Sequence, residues 1–71
     1  MERNKVNSSS IRAVGYDERS RVLEVEFNDG RINQYTGVSP EVHRRLMSAP
    51  SMVSYFRDNV EESFPSKRVK G

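Results

Sequence analysis

Between positions 21 and 27 the chain alternates, with Leu23, Val25 and Phe27 on one parity and Glu24 and Glu26 on the other. That period of two describes a strand with one buried and one wetted face. Asn28-Asp29-Gly30 follows and predicts a reversal, because Asp-Gly tolerates the positive φ that hairpin turns need. The returning segment, 31–36, puts Ile32 and Gln34 on one face and Asn33 and Tyr35 on the other. Its alternation is too weak to fix the register. Upstream, Ile11, Ala13, Val14 and Tyr16 mark a first short strand over 11–16, joined to the second through polar Asp17-Glu18-Arg19-Ser20.

After position 38 the period changes. Ser39-Pro40 starts a helix, with a hydroxyl to cap an orphan N–H and proline at the first helical position. Glu41 falls in the first turn, where the helix dipole favours a carboxylate. Val42, Leu46 and Ala49 line one side of this helix, while His43, Arg44 and Arg45 face the other, which predicts solvent around them. Met47 falls near the edge of the apolar stripe, and Pro50 closes the segment. Ser51 then caps a second helix over 52–62, with an apolar side of Met52, Tyr55, Phe56 and Val60. Phe64 folds back after it, and Pro65 ends it.

The predicted fold class is α+β: a three-stranded antiparallel meander followed by two short helices packed on one face, in the order β-β-β-α-α. Its core comprises Ile11, Ala13, Leu23, Val25, Phe27, Ile32, Val42, Leu46, Tyr55, Phe56, Val60 and Phe64, with Tyr16, Tyr35 and Val38 at the rim. Residues 1–5 read as a flexible N-terminus, 6–65 as a single domain and 66–71 as a basic flexible tail. In this arrangement one sheet face and the sheet edges stay open to a partner.

Composition narrows the chemistry. The chain has 71 residues, 34% of them hydrophobic, with no cysteine and one histidine. Thiolate metal sites, disulfides and cysteine nucleophiles are therefore excluded. So short a chain spends its apolar residues on one small core and has none left to line a deep pocket. No stretch approaches the roughly 18 apolar residues of a membrane span, and the polar N-terminus lacks a signal peptide's apolar region. A cytoplasmic location is the expectation. The net charge of +2 is weak grounds for a polyanionic partner.

No phosphate-binding glycine loop or nucleophile elbow is present. His43 has no orienting carboxylate within reach on its own helix and reads as a solvated residue. Glu24 and Glu26 share one strand face about 6 to 7 Å apart. They read as cross-strand partners for Arg12, Arg19, Arg21 or Arg31. Candidate binding residues are Tyr16 and Tyr35, which could stack on bases if their rings face solvent, and the cations Arg44, Arg45, Lys67, Arg68 and Lys70.

Several segments taken together resemble a known family. They are Ser8-Ser9, Ala13-Val14-Gly15-Tyr16-Asp17, Leu23-Glu24-Val25-Glu26-Phe27 with Gly30, Tyr35 with Val38 and Pro40, and Ala49-x-Ser51-x-x-x-Tyr55-Phe56. This ensemble resembles the KTSC domain, which occurs at the C-terminus of some bacterial lysyl-tRNA synthetases and as small stand-alone proteins. The resemblance covers about 6–69. It carries no settled activity, and RNA binding is what the synthetase association suggests. Two positions depart from the family pattern. Asn33 replaces the first of two tyrosines in a Tyr-x-Tyr arrangement, and Val53 replaces a glycine.

The expectation is thus a small non-enzymatic interaction domain with no small-molecule cofactor, no metal and no membrane contact. It acts through protein–protein contacts, with a protein partner or self-association at a strand edge. The alternative is weak RNA binding through surface arginines and tyrosines.

Overall fold

The computed structural model describes residues 3–6 and 10–70, with only the main chain of 3–5 and 70. Five antiparallel strands form one sheet, ordered as they occur in the chain: β1 (Arg3–Lys5), β2 (Ile11–Asp17), β3 (Val22–Phe27), β4 (Ile32–Tyr35) and β5 (Ser66–Lys70). Helix α1 (Pro40–Ser48) and helix α2 (Met52–Phe56) lie between β4 and β5, and α2 runs into a π-helical turn, Arg57–Glu61.

The β-β-β-α-α order is therefore corrected: the sheet has five strands and not three, the two additional ones lie in the segments read as flexible ends, and one of them follows the helices. β1 pairs with β2 through Arg3↔Gly15, Asn4↔Val14 and Lys5↔Ala13. β5, placed in a tail on sequence grounds, pairs with β4 through Asn33↔Arg68, Gln34↔Lys67 and Tyr35↔Ser66. Neither has the alternation that marks β3. The apolar residue of β5, Val69, is 50% exposed, so this strand is held by main-chain pairing rather than by a buried face. The supposed edges, β2 and β4, are both covered. Of the remaining segments read from sequence, Met1, Glu2, the Ser8-Ser9 pair and Gly71 lie outside the described residues.

Local signals behave as their chemistry requires. Asn28, Asp29 and Gly30 form a three-residue hairpin loop with Gly30 at φ 95°, and Phe27 N–H donates to Arg31 O at 2.8 Å. That loop fixes Glu24 opposite Gln34 and Glu26 opposite Ile32. The Ser39 hydroxyl accepts from Val42 N–H, and the Ser51 hydroxyl from Ser54 N–H, each at 3.4 Å. The π-helical turn closes where Ser63 and Phe64 N–H both return to Val60 O.

The helices pack on one sheet face. Ile11, Val14, Leu23, Val25, Tyr35, Val38, Leu46, Phe56 and Val60 form the core, with Tyr16, Phe27, Val42, Met52, Tyr55 and Phe64 packed around it. Two assignments change. Tyr35 and Val38 belong to the core and not the rim, at 2% and 0% exposure. Ala13 and Ile32 are buried but stand outside this cluster. Their register with Glu26 puts them on the opposite face.

Candidate interaction surfaces

Two tyrosines were candidates for stacking on bases, and both are engaged within the fold. The Tyr35 ring meets Phe56 edge-on, with centroids 5.3 Å apart and planes at 83°. Its hydroxyl accepts from Asn33 Nδ2 at 3.4 Å, and burial raises its pKa. At 2% exposure it offers no ring face to a base. Tyr16 stacks on His43, with centroids 4.6 Å apart, and its hydroxyl donates to Val38 O at 2.5 Å. Val38 N–H in turn donates to Arg21 O at 2.9 Å. Tyr16 thereby ties the β2–β3 turn to the loop that enters α1. His43 is accordingly half-buried against a ring from the sheet and not a solvated residue, and burial lowers its pKa.

The sheet face turned away from the helices is organised in rows. One row runs Gly15, Glu24, Gln34, Lys67 from β2 to β5, and the next runs Ala13, Glu26, Ile32, Lys70. Glu24 is only 7% exposed, and Gln34 Nε2 donates to its Oε1 at 3.0 Å. Glu26 pairs with Arg12 at 3.5 Å, as cross-strand chemistry suggests. Arg31 does not join these acids. It bonds Asp29 at 2.7 Å and lies over the Phe27 ring, 5.1 Å from its centroid. Acids therefore occupy the middle of this face and bases its margin. Sequence reasoning placed both glutamates here but missed the Glu24–Gln34 bond. Counting outward from the three-residue loop would have found it.

The candidate cations do not converge. Arg44 and Arg45 are exposed on α1, which covers the core face, and Arg45 pairs with Glu41 at 2.6 Å one turn away. Lys67 and Lys70 hold register positions on the opposite face, while Arg68 stands opposite Asn33 on the helix side. Among the described residues, no group of three or more His, Asp or Glu side chains is placed to hold a metal ion. No helix there is long and apolar enough to cross a membrane.

This architecture and these residues match a known group. The KTSC domain profile covers residues 7–64. The chain belongs to the KTSC domain family. In the crystal structure of a KTSC domain protein from Yersinia pestis the same fold recurs, with a TM-score of 0.90 and 35% identity over 96% of each chain. An uncharacterized protein of Stutzerimonas stutzeri is 43% identical over 56 residues, 79% of either chain. A lysine–tRNA ligase of Nostoc punctiforme is 30% identical over 65 residues, which are 92% of this chain and 12% of the ligase. The KTSC resemblance drawn from the residues thus stands, and with it a link to a segment of a tRNA ligase. Asn33, which departs from the family's paired tyrosines, faces the helices beside Tyr35. That pair position belongs to the packed side of the sheet.

Proposed function

We propose that this KTSC domain is a non-enzymatic interaction module that works through protein–protein contacts in the cytoplasm. The observation that carries this reading is the make-up of the helix-free sheet face. Glu24 and Glu26 stand in its middle, where a phosphate backbone would need bases. Glu26 and Gln34 keep partial exposure there, and an acidic group beside a neutral amide suits a protein surface better than a phosphate backbone. The commitment of Tyr16 and Tyr35 to internal contacts supports the same choice, because stacking on unpaired bases needs open rings. Self-association through β5 is disfavoured, since two antiparallel copies would set Lys67, Arg68 and Lys70 against one another. A different protein is the favoured partner.

RNA binding is kept as a second reading because of the likeness to a tRNA ligase segment. The two readings separate in a titration with short single- and double-stranded RNA at low salt, where electrostatic affinity is greatest. The protein reading expects no saturable binding, and no change with Arg44→Ala/Arg45→Ala. Saturable binding that this double variant weakens would overturn it. Light scattering over a concentration series tests self-association, with a monomer expected throughout.

A further inference from the structure

Strand β5 ends the sheet, and no described strand lies beyond it. Thr36 N–H donates to Pro65 O at 3.1 Å. From that bond, the alternation of an antiparallel ladder turns the amide and carbonyl of Lys67 inward to Gln34, and those of Ser66 outward. Ser66, Lys67, Arg68 and Val69 are all exposed. Across its five residues the strand holds Lys67, Arg68 and Lys70 and no acid. Among the described residues, the exposed large apolar side chain of the domain, Val69, lies on the same strand. The opposite edge, β1, spans three of the described residues.

From this line of main chain, charge and one apolar contact we infer that β5 is a docking edge for an extended acidic peptide segment of another protein, which adds to the sheet as a sixth strand. The inference rests on the protein-interaction reading and names its partner class. Basic residues on an edge strand do two things at once. They oppose pairing with a second copy, which would bring like charges opposite each other, and they favour a strand of Asp or Glu, whose carboxylates on the helix-free side would fall along the register row of Lys67 and Lys70. Ladder hydrogen bonds supply sequence-independent attraction, and the flanking charges and Val69 supply selectivity. A nucleic acid lacks the regularly spaced amides and carbonyls that a sheet edge recognises, so the edge geometry favours peptide over RNA.

The test is an amide NMR titration of the intact 15N-labelled chain at low salt. The probes are an acetylated Glu-Val-Glu-Val-Glu amide, its Lys-Val-Lys-Val-Lys counterpart, versions of the acidic peptide N-methylated on alternate amides, and an RNA pentanucleotide. Shifts confined to β5 and β4 with the acidic peptide are expected, together with binding at least about tenfold weaker for the basic one, equivalent to roughly 1.4 kcal/mol. One of the two N-methylation patterns should abolish binding while the other leaves it. Lys67→Glu/Lys70→Glu should weaken the acidic peptide by a similar factor, and Arg44→Ala/Arg45→Ala should leave it unchanged. Retained circular dichroism keeps loss of folding separate from loss of docking. Equal binding of both peptides, indifference to N-methylation, or RNA shifting β5 as strongly as peptide would overturn the proposal. If the peptides leave β5 untouched while a partner protein binds the helix-free face, the edge is wrong and the interaction reading stands.

Discussion

The imidazole of His43 lies flat on the phenol ring of Tyr16, with centroids 4.6 Å apart and planes 9° from parallel. One residue comes from the first turn and a half of α1 and the other from β2, so the stack fastens helix to sheet. The contact also carries a pH dependence. Burial lowers the His43 pKa, so the folded chain binds that proton less readily than the unfolded one. Stability is then full above the unfolded value, about 6.5, and falls as pH drops from there through the folded value. Tyr16, with its pKa raised by burial, does not titrate in that range. Thermal unfolding at about pH 7.5 and pH 5.5 should show a lower midpoint at the acidic value. His43→Phe keeps a stacked ring without a proton and should flatten the difference. The same slope in both proteins would contradict this account.

Arg21 adopts φ 57°, a left-handed conformation that a side chain with a Cβ pays roughly 1 kcal/mol to hold. Its carbonyl is held by Val38 N–H, so the strain is locked by the loop that Tyr16 also grips. Arg21→Gly should therefore raise stability by about 0.5 to 1 kcal/mol. Urea denaturation checks this, and a loss of stability would mean the arginine side chain contributes more than the strain removes.

Among the described residues the buried Oδ1 of Asn33 has no hydrogen-bond partner, and it stands on the strand face that packs against the helices. A buried acceptor left unsatisfied costs about 1 to 3 kcal/mol. Opposite it stands Val25, an apolar neighbour at 0% exposure. Asn33→Val should stabilise the fold by about 1 kcal/mol, read as a shift of the urea midpoint at constant slope. A clear destabilisation would mean that the Nδ2 bond to Tyr35 outweighs the orphaned oxygen.

Leu46 is fully buried and anchors α1 to the sheet. Leu46→Ala should cost about 2 to 5 kcal/mol, a large share of what so small a core supplies. Ser39→Ala should cost about 1 kcal/mol through the lost cap. A cap effect equal to the Leu46 effect would show that α1 is held by its terminus rather than by packing.

How much of this was legible in the sequence follows from what each element rests on. The strand over Leu23–Phe27 and the Asn28-Asp29-Gly30 reversal were plain, because a one-sided core imposes alternation and a tight loop imposes glycine. Both helix starts were plain because Ser39 and Ser51 cap them. β1 and β5 were hidden, since edge strands are stabilised by main-chain pairing that leaves no mark on side-chain pattern. The Tyr16–His43 stack was hidden for a related reason. It joins residues 27 positions apart, and the helix of His43 read alone shows no partner. Tyr35 and Ile32 exchanged sides because a four-residue strand with one clear apolar end does not declare which parity faces the helices.

The central claim is that the sheet, through its helix-free face and basic edge, meets a protein partner while α1 stays out of the contact. Quantitative affinity capture with wild type, Glu26→Arg, Lys67→Glu and Arg44→Ala/Arg45→Ala tests it most directly, with folding of each verified by circular dichroism. The account predicts a protein retained by wild type and by the α1 double variant, and lost by at least one of the two sheet variants. A partner lost only with Arg44 and Arg45, or an RNA retained in place of any protein, would contradict it.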